Sequence, residues 1–188
     1  MTNWANAEMA ESLRPSQVSV RAQGQVAERV GEALGVMLPV EPNTVATRDQ
    51  RSALWLGPDE WLVVDDGTPA HEIEASVRQA FAGSRGSRSE PLGARVGSWG
   101  SVVDVSANRI VVELSGPHAR DVLSRGCSLD LHPRSFRPGM CAQTLLAKTA
   151  VILWQTDDAP TFKVLVRASF AAYLARWLAD ASVEQSGD

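Results

Sequence analysis

The stretch Val102–Leu131, VVDVSANRIVVELSGPHARDVLSRGCSLDL, constrains this chain more than any other part of it. It reads as strand, tight turn, strand, helix and a closing Gly-Cys. Ile110, Val112 and Leu114 alternate with Val111 and Glu113, the period of a partly buried strand. Ser115 or Gly116 is expected to cap a helix whose first turn holds Pro117, where a missing N–H costs nothing. Val122 and Leu123 face inward. Gly126 is expected to stop the helix at a position that tolerates positive φ. A strand pair leading into a short helix calls for a sheet on which that helix packs.

The same grammar occurs twice more. Ala53–Leu56, the turn Gly57-Pro58-Asp59-Glu60 and Trp61–Val64 predict a hairpin. Thr68-Pro69 then opens a helix carrying Ile73, Val77 and Phe81. Ala150–Trp154, a turn over 156–160 and Phe162–Arg167 predict another hairpin. After it, Ser169 is expected to cap a helix with Phe170, Leu174, Trp177 and Leu178 on one face. Ahead of these, Gln17–Ala22 alternates weakly as a strand. Val26, Val30 and Leu34 lie at i, i+4, i+8 on a helix ending near Gly35 and Pro39. Hairpins followed by helices predict an α+β fold, antiparallel sheet with packed helices. The expected organisation is an N-terminal arm over 1–15, a single α+β domain over 16–182 and a tail over 183–188. The segment 83–91 is a flexible loop by its Gly, Ser and Pro content.

A chain of 188 residues can bury a real core. The net charge of −4 argues against nucleic acid as the main partner, since phosphate binding relies on clustered Lys and Arg. No apolar run approaches membrane-spanning length, and the N-terminus lacks the basic and apolar segments of a secretory signal. Cys127 and Cys141 form no CxxC pair, so a reducing cytoplasm is the expected compartment. Six Trp against one Tyr is unusual and predicts that some indoles are covered by partner chains.

The candidates for chemistry each have a folding explanation. His71, His118 and His132 are isolated, with no i, i+4 pairing and no carboxylate and Cys at metal spacing. Cys127 follows a helix end, where the dipole disfavours a thiolate, so a buried structural Cys is expected. Ser115 lies outside any GxSxG elbow. Gly83 and Gly86 with Arg85 and Arg88 read as solvated loop. Asp65-Asp66 and Asp157-Asp158 sit in turns, where neighbours do not converge on one reacting centre. Asp104, at a strand end, is the carboxylate that stays a candidate, although Asp104-Val105-Ser106 also suits an Asx-type turn. No dinucleotide fingerprint or P-loop occurs. The expected sets of catalytic, cofactor-binding and metal-binding residues are all empty.

Asp104–Leu131 resembles the DVS…SGP…DL segment of the folate-binding aminomethyltransferase superfamily, which includes the T-protein of glycine cleavage and demethylating amine oxidases. Leu54–Leu62, LWLGPDEWL, resembles the LGPDEWL signature of the gamma subunits of heterotetrameric sarcosine oxidases. Gly126–Leu131 with Phe136–Gly139, Thr144–Ala147, and Val166–Phe170 with Tyr173, Trp177 and Leu178 resemble further segments of that family. The resemblance spans about Leu54 to Leu178 and implies the folate-binding fold of aminomethyltransferases. It departs from the catalytic relatives at one point. They carry a carboxylate in the hairpin after the strand matching Thr144–Ala147, where this chain reads Lys148–Trp154 without one. The second half and C-terminal domain that the folate pocket needs are also not expected in a chain of this length.

The resemblance therefore implies a non-catalytic subunit, which is an enzyme only as part of a complex. Its partners would be alpha, beta and delta subunits, mainly the large alpha chain. The complex would contain FAD, FMN, NAD and zinc and use tetrahydrofolate. It would demethylate sarcosine to glycine, with H₂O₂ and formaldehyde or 5,10-methylenetetrahydrofolate as products. Three rival readings stand beside it: a stand-alone folate-binding protein of the superfamily, an oxidase subunit for another N-methyl amino acid, and an α+β interaction module unrelated to amine oxidation.

Overall fold

Apolar alternation cut by Gly, Pro and Asp turns sets the elements, and the computed structural model describes residues 2–4, 7–11, 14–82 and 99–183. In chain order these are β1 (Thr2–Trp4), β2 (Ala7–Glu11), β3 (Ser16–Ala22), α1 (Gln25–Leu34), β4 (Val45–Arg48), β5 (Arg51–Gly57), β6 (Glu60–Asp65) and α2 (Ala70–Ala82). There follow β7 (Gly100–Asp104), β8 (Arg109–Ser115), α3 (Ala119–Ser124), β9 (Cys141–Leu146), β10 (Thr149–Asp157), β11 (Thr161–Arg167), a 3-10 turn (Ala168–Phe170) and α4 (Ala171–Val183). The α+β class and the β5–β6 and β10–β11 antiparallel hairpins are as the sequence predicts.

The chain divides into two compact units where one domain over 16–182 is expected. A continuous unit runs Pro15–Ser106, and a split unit combines Met1–Arg14 with Ala107–Asp188. The reason is that the apolar residues gather into two clusters, each between one sheet and its own helices. The expected N-terminal arm is not a free arm, because β2 pairs antiparallel with β8 and β1 pairs with β2. The loop over 83–91 and residues 184–188 of the expected tail lie outside the described residues, and Val183 ends α4.

The two sheets have one plan. In the continuous unit the strand order is β4-β5-β6-β3-β7, and in the split unit β9-β10-β11-β8-β2-β1. Each unit runs strand, helix, three strands, helix, and its first strand sits between the third strand of that trio and one more. In the continuous unit that last strand is β7; in the split unit it is β2, drawn from the N-terminus. The expected hairpin between the strands around Val102 and Ile110 therefore does not form. β7 pairs with β3 and β8 with β11, and the turn between them joins the two units.

Local signals hold where pairing is local. Gly35 closes α1 in the left-handed conformation (φ 70°), with Val26, Val30 and Leu34 buried. Phe162, Leu174, Leu178, Val122 and Leu123 are almost wholly buried in the split unit. Each is worth about 1.5–3 kcal/mol of transfer from water if large and aliphatic or aromatic. Three helix-end expectations are corrected. Ser115 does not cap α3: it is the last residue of β8, the helix starts at Ala119, and the residue before it, His118, makes no side-chain cap bond. Gly116 (φ 107°) makes the turn between them. Gly126 is not among the residues with positive φ; a Cβ there would lie 2.4 Å from the Trp177 ring, so close packing excludes a side chain. Ser169 lies inside the 3-10 turn and does not cap α4, and Phe170 is 43% exposed, outside the buried face.

Candidate functional site

Each unit builds its most elaborate polar cluster around one arginine. In the continuous unit, Arg51 opens β5 opposite the end of β6. Its Nε donates to Asp65 Oδ2 at 2.7 Å, one terminal nitrogen to the Leu34 carbonyl at 2.5 Å and the other to Thr68 Oγ1 at 3.1 Å. The second oxygen of Asp65 accepts the N–H groups of Gly67 (2.8 Å) and Thr68 (2.6 Å). Burial pushes the Asp65 carboxyl up, but the Thr68 and Gly67 N–H groups and Arg51 outweigh it and hold it below its ordinary value. The cluster ties the end of α1, the β5–β6 hairpin and the entry to α2 together. A recess of about 570 Å³ lies over it, lined by Arg48, Gln50 and Thr68 among others.

In the split unit, Arg120 reaches from α3 across the ring of Phe162, with its guanidinium carbon 5.2 Å from the ring centroid. It donates to the carbonyls of Leu131 and Phe136 and, at 2.8 Å, to Gln155 Oε1. Gln155 is fully buried and passes its own N–H to the Asp157 carbonyl at 2.8 Å. Burial lowers the affinity of the guanidinium for its proton, and Asp158 partly restores it. Sequence reading missed Arg120, Gln155 and Arg51. The available signal was a charged residue flanked on a short amphipathic helix by Ala119 and Val122, both of which are buried.

The structure gives each predicted candidate a place. Asp104 Oδ1 accepts the Ser106 N–H (2.9 Å) and hydroxyl (2.6 Å), and Ser106 Oγ accepts the Gln17 N–H at 2.9 Å. Those two bonds from Ser106 hold Asp104 below its ordinary pKa. The Asp104 N–H donates to Glu74 Oε1 at 2.8 Å, so α2 satisfies that backbone group of β7. Asp157 binds the N–H groups of Ala159 and Thr161, both at 2.9 Å, as a turn residue does. Asp66 and Asp158 are exposed, as are His71 and His132. His118 lies 3.3 Å from Asp121 on one turn of chain. Cys127 and Cys141 are buried and joined in no disulfide.

Ser115 pairs with Thr161 and Glu8 in the sheet. The Gly83, Gly86, Arg85 and Arg88 group lies outside the described residues. The hairpin that follows Thr144 turns through Ala147 (φ 53°) and Lys148 and carries no carboxylate until Asp157, at the far end of β10. The side chains present there do not fit a folate-dependent carboxylate chemistry. Among the described residues, no three His, Cys, Asp or Glu side chains gather as a metal-binding set, and no helix is long and apolar enough to cross a membrane.

The indoles divide by environment. Trp61 and Trp154 are buried, Trp55 and Trp177 half-buried, and Trp99 is 44% exposed. A second recess, about 670 Å³, opens beside Trp61 and is lined by Ala27, Glu28, Met37, Val40 and Asp59 among others. Met37 and Val40 at its rim are 58% and 84% exposed.

The fold is that of the aminomethyltransferases. It matches the glycine cleavage system aminomethyltransferase T of Bartonella henselae with a TM-score of 0.58 at 13% identity, over 93% of this chain and 45% of that one. A family model described as sarcosine oxidase, gamma subunit family matches residues 19–184, and the chain belongs to that family. It is 38% identical over 181 residues to the sarcosine oxidase subunit gamma of Corynebacterium sp. (strain P-1), covering 94% of this chain and 80% of the relative. It is 40% identical over 174 residues to that of an Arthrobacter sp., covering 90% and 76%. Among solved structures, the heterotetrameric sarcosine oxidase from Corynebacterium sp. U-96, in complex with pyrrole 2-carboxylate, matches with a TM-score of 0.83 at 33% identity. That match covers all 100% of this chain and 89% of that one.

Proposed function

We propose that this chain is the gamma subunit of a heterotetrameric sarcosine oxidase and acts there as a structural, non-catalytic component. Family membership supports the assembly. The observation that carries the structural role is the engagement of the candidate carboxylates. Asp65 commits both oxygens to Arg51 and turn N–H groups, Asp104 and Asp157 each commit Oδ1 to two bonds of their own turns, and all three pKa values are lowered. A general base needs a free lone pair aimed at substrate and a pKa near the working pH, the opposite arrangement. On this reading the alpha, beta and delta chains hold the reaction centres, with FAD, FMN, NAD, zinc and tetrahydrofolate bound among them. The large alpha subunit is the main neighbour, in a cytoplasmic complex.

Co-expression with and without the other subunits tests the proposal. The complex is expected to show flavin absorbance and sarcosine turnover, and the lone chain neither. Sarcosine turnover, or tight tetrahydrofolate binding, by the isolated chain would overturn it. A complex that turns over a different N-methyl amino acid in preference to sarcosine would keep the subunit role and change the substrate.

A further inference from the structure

We propose that the notch over Ala150 on the split unit's sheet, flanked by Arg109, Arg167 and Leu145, receives an aspartate or glutamate side chain from a partner subunit. The proposal rests on the reading that the chain assembles into the oxidase complex. Its basis is an unbalanced pair of charges. On β8 and β11, Val112, Leu114, Val164 and Val166 join the core with residues of α3 and α4. Side chains alternate along a strand, so Arg109, Val111 and Glu113 with Lys163, Leu165 and Arg167 point to the opposite face. In the register of these strands Lys163 stands opposite Glu113, Leu165 opposite Val111 and Arg167 opposite Arg109. On one face, the same two strands therefore carry a row of opposite charges and, further along, a row of like charges. Opposed neighbours of this kind have Cβ atoms about 5 Å apart, close enough that like charges repel.

The second row continues into a gap. Val151 faces Val166, so one step of register sets Ala150 beside Arg167, and Ala150 faces Leu145 on β9. The row thus reads Arg109, Arg167, Ala150, Leu145, with a methyl group between two long side chains. A recess of about 420 Å³ opens there, and among the described residues its charged lining is Arg109 and Arg167, with no acid. The Arg167 side chain is exposed and forms no ion pair with a described residue.

The chemistry of the recess favours a carboxylate carried on a protein chain. A carboxylate between two guanidiniums converts their repulsion into two attractions, and its two oxygens match the donor forks. Leu145, 58% exposed at the other side of the notch, also calls for apolar cover. A free inorganic anion supplies the charge without that cover. An acidic residue on a partner supplies the charge from its tip and the cover from its stem and neighbours. Arginine is itself enriched where protein interfaces bury their anchors.

The test uses the full chain, alone and co-expressed with the other subunits. Arg167→Gln is expected to leave the melting temperature of the lone chain unchanged or raised, because it relieves the repulsion with Arg109. It is expected to weaken assembly on the order of tenfold, and Arg167→Glu further. Arg167→Lys keeps the charge and loses the fork of donors, so it should fall between wild type and Arg167→Gln. Lys163→Gln, in the balanced row, should assemble within about twofold of wild type. A lone Arg167→Gln chain that melts well below wild type, or fails to fold, overturns the proposal, since the pair is then satisfied within the chain. So does wild-type assembly by Arg167→Gln, or an equal loss in Lys163→Gln, which marks a general charge effect. Millimolar phosphate or acetate that raises the melting temperature of the wild-type lone chain, and not that of Arg167→Gln, overturns it in favour of a free small anion. A wild-type dimer in sedimentation that Arg167→Glu abolishes overturns it too, because the occupant is then a second copy. If the wild-type chain does not join the other subunits, the proposed function fails and this inference with it, a result distinct from assembly that Arg167→Gln leaves intact.

Discussion

The continuous and split units solve one folding problem with different chain routes. Both place a first strand between the last strand of a trio and one further strand, and both shift register at the same point of the same hairpin. The continuous unit takes its last strand from the chain that follows α2, whereas the split unit takes β2 from the N-terminus. Arg120 plugs the split unit over the Phe162 ring, whereas Trp61, buried at the equivalent strand position, donates its own indole N–H to the Pro39 carbonyl. The difference teaches that one sheet plan is reached whether the chain after α2 or the N-terminus supplies the strand beside the first.

Changes at the equivalent positions sharpen the comparison. Phe162→Ala is expected to cost about 3–5 kcal/mol, since it empties a fully buried site and removes the ring beneath Arg120. Urea unfolding followed by Trp fluorescence measures it. A loss below 1 kcal/mol would break the assignment of Phe162 as the floor of the plugged unit. Arg120→Ala should cost about 2–3 kcal/mol, because the Gln155 amide and two carbonyls lose their partner.

Gly126→Ala is expected to destabilise by about 1–3 kcal/mol through the clash with Trp177. The reference change Gly35→Ala should cost roughly 1 kcal/mol, for positive φ alone, since open space surrounds that position. Equal effects would argue that backbone conformation, not packing, holds Gly126. The smallest effect belongs to Asp104→Ala, about 0.5–1.5 kcal/mol for the lost turn bonds, with turnover by the assembled complex unchanged within twofold. A catalytic carboxylate would instead cost on the order of a hundredfold or more.

The Asp65 cluster adds a pH dependence specific to the continuous unit. Its folded-state pKa is lowered, so Asp65 contributes stability that is fully present above the ordinary carboxylate range and is lost as pH falls through the folded value. Asp65→Asn should flatten that acid limb. Melting curves of the two proteins, compared from neutral to strongly acidic pH, check the sign. A wild-type chain that gains stability on acidification relative to Asp65→Asn would contradict it.

Much of this was legible in the residues. Val26, Val30 and Leu34 with Gly35 placed a helix and its stop; Gly57–Glu60 placed a hairpin turn; Asp104 and Ser106 placed a side-chain-locked turn. These succeed because the period of a helix, the period of a strand and the chemistry of a turn act over a few neighbouring residues. The LGPDEWL and SGP segments likewise pointed to the family to which the chain belongs.

The rest depended on contacts between distant residues. Val102–Leu131 looks like one hairpin and helix, yet its two strands serve two sheets, because β7 finds β3 and β8 finds β11. Nothing local could assign β2 to β8, some hundred residues away along the chain, since strand pairing is decided by register and burial after the chain has folded back. Gly126 looked like a helix stop and is a packing contact, for its constraint lies in Trp177 on another helix. Arg120 drew no reading from its local sequence and is the plug of a core, because its partners arrive from β10, β11 and the loop after α3. By itself the sequence determined the elements and the ancestry. The tertiary structure alone decided which strands share a sheet and that Arg120 covers the Phe162 ring, because both are properties of surfaces that meet only once the chain is folded.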